Sequence, residues 1–161
     1  IAVLFFMANK NPPPPELGVK NGLLSPCTEG RANSVSSQIL ASDLRVSPLT
    51  MPGDLNEARR IIGEAVLRMP RTKLIGEADN YLRYECTSLA MRFVDDLELY
   101  FNEHEKLVHI RSGSRCGFWD FGANRRRVEQ LRSMLPLGFQ GPGTQALPST
   151  EPVSENDSAK N

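Results

Sequence analysis

From Thr72 to Ser112 the chain switches between apolar and polar residues at every second position, in short runs whose connections are too brief for crossovers. Tyr81 to Ser88 sets Leu82, Tyr84 and Cys86 on one face against Arg83, Glu85 and Thr87 on the other, the period of a half-buried strand. Leu97, Leu99 and Phe101 alternate with Glu98 and Tyr100, and Val108, Ile110 and Ser112 share a face opposite His109 and Arg111. Thr72 to Gly76 supplies a further short strand and Asp79-Asn80 a turn. Phe93-Val94-Asp95-Asp96 reads as an interruption, and Asn102-Glu103-His104-Glu105 as a hairpin loop. Parallel pairing would need connections of about a dozen residues or more. The pattern therefore predicts an antiparallel meander of about four strands.

Helical spacing flanks this meander. After the helix-hostile Pro52-Gly53, Asp54 is placed as an N-cap with Glu57 three residues on. Leu55, Ala58, Ile61, Ile62, Ala65, Val66 and Met69 then recur at three-and-four spacing, up to Pro70. A second helix is expected to begin near Asp120 to Ala123, with Asp120 as its cap. It would turn Val128, Leu131 and Leu135 inward and stop at Pro136. The fold class is α+β, an antiparallel sheet packed by two helices, with long extended arms at both ends. The core is expected over residues 51–136 and a low-complexity tail over 137–161. Residues 1–50 comprise an apolar start, a proline spacer and an extended arm, with at most a short strand at Ser34 to Leu40.

Composition narrows the partners. The 161 residues carry 19 basic and 19 acidic side chains, so no long-range field recruits nucleic acid. Cys27, Cys86 and Cys116 form no CxxC pair, which gives no metal site, and nothing in the sequence calls for a cofactor. Cys86 is expected as a small core residue. Cys116, beside Arg115, is a candidate activated thiol, although neither His104 nor His109 is placed by sequence as its base. Ile1 to Ala8 is an eight-residue apolar run, short of the roughly 20 residues that cross a bilayer. It reads as the end of a signal or transit segment, a stump of a membrane helix, or a plug that docks on a partner.

Five arginines fall between Arg111 and Arg127. Arg111, Arg115, Arg125 and Arg127 converge if the strand end and the helix start meet. Ser112, Ser114, Asp120 and Asn124 stand among them, and Asp95 and Asp96 lie within reach of the same corner. Two readings follow. In one, the arginines and the helix start bind a small anion; in the other, the carboxylates pair with the arginines and brace helix against sheet. Asp95 and Asp96 are adjacent in sequence, so on a strand they would point to opposite faces, which suits no carboxylate dyad. The serines lack a strand-turn-helix nucleophile elbow. His109 is expected on the sheet surface, and Phe118 and Trp119 over the helix–sheet junction.

The run Arg111 to Glu129 closely resembles the end of the domain of unknown function 1499 family. The family's pattern there is Arg-Ser-x-Ser-Arg-x-Gly-x-x-Asp-x-Gly-x-Asn-Arg-x-Arg-x-Glu, matched at every fixed position. Pro70-Arg71-Thr72, Asp79, Thr87-Ser88 and Phe93 to Glu98 fit the same family in order, so the resemblance spans roughly Leu17 to Leu135. It implies no catalytic activity. The family's element before Val35-Ser36-Ser37 usually holds a second cysteine where this chain has Ser34. Its members occur in bacteria and in photosynthetic eukaryotes, several looking exported or plastid-targeted. The expected function is a non-enzymatic accessory subunit that docks through its arms on protein subunits of a larger membrane-bound organellar complex. A photosynthetic, chloroplast thylakoid host is the first to consider, with the protein peripheral to the membrane. The alternatives are a small-anion-binding protein or hydrolase using the arginine-rich corner, and a lipid or pigment carrier.

Overall fold

The structure, a computed structural model, describes residues 13–14, 16–40, 42–89 and 92–141. The apolar run Ile1 to Ala8 and the tail from 142 onward lie outside them. The elements run β1 (Val19–Lys20), β2 (Leu23–Leu24), β3 (Ser34–Ser36), β4 (Leu49–Thr50), α1 (Leu55–Arg68), β5 (Thr72–Ala78), β6 (Tyr81–Thr87), β7 (Val94–Asn102), β8 (Leu107–Ser114) and α2 (Ala123–Met134). Short 3₁₀ turns sit at Ser42–Leu44 and Leu137–Phe139.

The expected meander β5-β6-β7-β8 is present and fully antiparallel. The sheet is wider than four strands, however. β3 and β4 both pair with the far side of β8, Val35 opposite Ser112 and Leu49 opposite Val108, giving six strands in all. β1 and β2 form a separate hairpin. β7 also begins earlier than expected: Asp95 and Asp96 are strand residues, facing Cys86 and Glu85 of β6. Their polarity hid a strand because both side chains are neutralised by partners elsewhere in the fold.

The alternation sorts the sheet into two unlike faces. Leu82, Tyr84, Cys86, Leu97, Leu99, Phe101, Val108 and Ile110 form the face against which both helices pack, and all are buried. Asp54 accepts the Glu57 N–H at 2.9 Å and starts α1, which delivers Ala58, Ile62, Ala65 and Val66 to that core fully buried. Ile62 and Val66 each contribute roughly 1.5–3 kcal/mol relative to exposure. Gly63 lets α1 approach: a Cβ there would lie 3.2 Å from the Tyr84 hydroxyl. From α2, Val128, Leu131 and Leu135 complete the layer as expected.

The opposite face carries Tyr81, Arg83, Glu85, Asp96, Glu98, Tyr100, His109 and Arg111, and it is covered too. The backbone N–H of Gly18 donates to Glu98 at 2.9 Å, bringing the hairpin segment onto the charged face. Gln38 pins the same segment by accepting from Leu24 N and donating to Gly22 O, both at 2.9 Å.

Candidate functional site

The arginines of the 111–127 stretch divide between the two faces rather than meeting at one point. On the covered charged face, Arg111 donates Nη1 to Glu98 Oε2 at 3.0 Å. The other Glu98 oxygen accepts from the Tyr81 hydroxyl at 2.7 Å and from Gly18 N. Arg115 grips Asp96 with two parallel bonds, Nε to Oδ2 at 2.7 Å and Nη2 to Oδ1 at 2.8 Å, and reaches Glu85 at 2.6 Å. A bidentate fork of this kind is the strong form of the ion pair. The Asp96 hydrogen bonds hold the Arg115 guanidinium above its ordinary pKa, against the opposing effect of burial. Burial, followed by the Glu98 charge, pushes the Tyr81 phenol up, so it stays a donor.

Gly113 makes room for Arg111. A Cβ there would stand 3.1 Å from Ser34 Cβ and 3.2 Å from both Arg111 Nη atoms. Ser34 Oγ, Arg83 Nε and Arg111 Nε are buried on this face with no hydrogen-bond partner among the described residues. His109 sits there as well, buried rather than on an open sheet surface. It stacks on Tyr100 with ring centroids 5.9 Å apart, meets Glu105 at 2.9 Å, and shares Ser37 Oγ with Ile110 N.

On the helix side, Arg127 pairs with Asp95 and donates to Ser112 Oγ at 2.9 Å and to Asn124. Asn124 is fully buried. It accepts from Ser112 Oγ at 2.7 Å, while its amide donates to Asn33 O and Ser114 Oγ, each at 3.0 Å. One amide side chain thus ties α2 to β8 and to the segment entering β3. Asp95 and Asp96 do serve opposite faces, each holding a different arginine. Arg125 lies apart from both groups and donates to the carbonyls of Arg45 and Asp43 at 2.9 and 2.7 Å.

Asp120 pairs with no arginine. Its two oxygens accept from Gly122 N and Asn124 N, both at 2.8 Å, and Gly122, with φ +77°, is the residue that starts α2. Asp120 therefore caps the helix from two residues further out than expected. Left-handed backbone at Gly117, Phe121 and Gly122 shapes the loop before it. Asn33 fastens that loop by donating to Gly117 O at 2.7 Å, and Ala32 N donates to Phe118 O at 2.8 Å. Phe118, Trp119 and Phe121 are consequently turned outward, 70%, 72% and 85% exposed. They do not cover the helix–sheet junction, because Asn33 and Asn124 already occupy it. The Arg31 guanidinium lies over the Phe118 ring at 5.2 Å.

Sequence reasoning missed Glu98, Glu85, Tyr81, Asn33 and Arg132 as members of these networks. Arg132, buried in α2, donates to Ser47 O and Gln140 O at 2.6 Å and so ties the segment before β4 to the turn that follows α2. Glu98 carried a readable signal, an acidic residue opposite Arg111 across adjacent strands. Cys27, Cys86 and Cys116 are joined by no disulfide among the described residues, and burial pushes the Cys86 thiol up, away from reactive thiolate. Among the described residues no group of His, Cys, Asp and Glu has the arrangement of a metal site. No helix among them is long and apolar enough to cross a membrane.

Fold and site together define a small α+β domain in which Arg111, Arg115 and Arg127 form internal ion pairs on the two faces of one sheet. The family model described as protein of unknown function (DUF1499) matches residues 23–135, and the chain belongs to that family. No curated protein matches the chain.

Proposed function

We propose that the protein is a non-enzymatic interaction subunit that docks on a protein partner within a larger membrane-associated assembly. The observation that carries this reading is the aromatic loop. Phe118, Trp119 and Phe121 are exposed within four residues of one another, on a backbone fastened by Asn33, Ala32 and Asp120. Phe121 holds φ +52°, a conformation that a bulky residue adopts at a cost of about 1 kcal/mol or more. The ring that this backbone carries is 85% exposed. Rigid Trp and Phe side chains beside arginine are the composition of protein–protein hot spots, and a loop already held in place loses little entropy on binding.

The arginine corner supports the same reading from the other side. Asp95, Asp96 and Glu98 each hold a buried guanidinium, so an acid–base role would first require breaking an ion pair that fixes the fold. The apolar run Ile1 to Ala8 and the plastid leaning of the family resemblance support a membrane-bound organellar host, with photosynthetic complexes the first to test.

The test is native electrophoresis of gently solubilised membranes from source cells carrying the tagged full chain. Wild type is expected in one discrete high-mass band, and a Trp119→Ser, Phe121→Ser variant at the monomer position. A wild-type monomer, or a variant still in the complex, overturns the proposal. Equal, loop-dependent binding to protein-free vesicles also overturns it, because the loop would then face lipid rather than a subunit.

A further inference from the structure

A cavity of about 250 Å³ opens between the start of β5, the end of β6 and the first turns of α2. Arg71 at the start of β5 and Arg126 and Arg127 of α2 line it, with Thr72, Cys86 and Ser88 in its wall. Arg127 is neutralised by Asp95. Arg71 and Arg126 make no ion pair among the described residues. Arg71 donates Nε to Thr87 O at 3.0 Å, and Arg126 donates Nη1 to Phe121 O at 2.8 Å. A guanidinium has five N–H donors, so each keeps most of its fork free.

The balance at the cavity is therefore three cations against the Asp95 carboxylate. The start of α2 does not supply the attraction, because Asp120 already accepts from Gly122 N and Asn124 N. Ser88 Oγ accepts from Phe93 N at 2.9 Å, which leaves its own proton available to a ligand. Arg71 holds φ +56°, a backbone that glycine or asparagine adopts more cheaply. Its exposed side chain returns one hydrogen bond to the fold. Pro70-Arg71-Thr72, Thr87-Ser88 and Arg127, three separate segments that carry the family resemblance, all line this one cavity.

We infer that the cavity is a binding site for a small phosphate monoester, held by Arg71 and Arg126 with Arg127 behind them. Two guanidinium forks without carboxylate partners suit the charge and the several acceptor oxygens of a phosphate dianion better than a single carboxylate. The volume lies below the roughly 300–1,000 Å³ of pockets for drug-sized ligands, so the phosphate carries only a short organic group. A soluble ester and the headgroup of phosphatidic acid present the same chemistry. Phe118, Trp119 and Phe121 are not among the residues lining the cavity, but Arg126 also holds the Phe121 carbonyl, so Arg71→Asn is the variant that tests this site apart from the aromatic loop.

The experiment titrates the full chain by calorimetry with inorganic phosphate, glycerol 3-phosphate and acetate. A parallel arm uses co-sedimentation with phosphatidylcholine vesicles with and without phosphatidic acid. Arg71→Asn removes the guanidinium while suiting the left-handed backbone, and Arg126→Gln alters an exposed side chain, so both are expected to melt like wild type. Saturable phosphate-ester binding that weakens about tenfold or more in each variant, but not in Arg60→Gln on the exposed face of α1, supports the site. Vesicle binding abolished by the same two variants also supports it and assigns the phosphate to a lipid. Absence of binding in both arms, indifference to the two variants, or an equal loss in Arg60→Gln overturns it.

Discussion

Replacing Glu98 with leucine removes the one carboxylate that answers a buried guanidinium, a phenol and a backbone amide at once. Glu98 is fully buried and Arg111 is 6% exposed. Leucine is close enough in size to fill the space, so the loss is chiefly electrostatic. An uncompensated buried charge costs about 3–5 kcal/mol. Tyr81 and Gly18 add less, since both are half-buried and can turn to water. A domain of this size has about 5–15 kcal/mol in total, so Glu98→Leu is expected to remove roughly a fifth or more of it. Urea unfolding followed by tryptophan fluorescence and circular dichroism reads this as a fall in midpoint at constant slope. Arg111→Met alone leaves Glu98 with two donors and costs less. The double variant Glu98→Leu, Arg111→Met removes both charges and is expected to recover at least about 2 kcal/mol over Glu98→Leu, because a buried pair replaced by apolar side chains is often neutral. A single-variant loss below about 1 kcal/mol, or a double variant no more stable than Glu98→Leu, refutes the electrostatic account of this face.

Gly113→Ala pushes a methyl against Ser34 Cβ at 3.1 Å and the Arg111 fork at 3.2 Å. It is expected to cost about 1–3 kcal/mol, with partial recovery in Gly113→Ala, Ser34→Gly; no recovery would place the strain elsewhere. Alkaline stability provides an independent check. Tyr84, 1% exposed, is pushed up to about 12 by burial and then by the Glu77 charge. Between pH 10 and 12 the unfolded phenol ionises while the folded one keeps its proton, so the unfolded chain binds fewer protons. Stability then falls by about 1.4 kcal/mol per pH unit for this group, and below pH 10 the contribution is fully present. Tyr84→Phe is expected to flatten the dependence of the urea midpoint on pH from 9.5 to 11.5; equal slopes would contradict the burial.

The parts of the fold visible in the sequence are those with a local period. The α1 face from Leu55 to Met69 and the alternation of Leu82, Tyr84 and Cys86 needed no distant information. The separation of Asp95 from Asp96 followed from strand geometry alone. The strands β3 and β4 were obscure for the opposite reason: Val35 pairs with Ser112 and Leu49 with Val108, and two- or three-residue strands leave no period to detect. Alternation also shows which residues share a face but not what lies over it. His109 therefore reads as solvent-facing, although the segment around Gly18 and Gln38 covers the face it shares with Glu98 and Tyr100. Phe118 and Trp119 suggested burial by their size, yet the loop that bears them is fastened through its backbone by Asn33 and Ala32. Nothing in residue type alone announces that arrangement.

β8 hydrogen-bonds with β7 on one side and with β3 and β4 on the other, and this fixes the order in which the molecule can be completed. During synthesis, β3 and β4 emerge first and have no strand to join until Leu107–Ser114 has been made. At about 5–20 residues per second that interval lasts several seconds. For all of it β3 and β4 remain unpaired, open to a chaperone or a translocation channel before their own sheet can claim them.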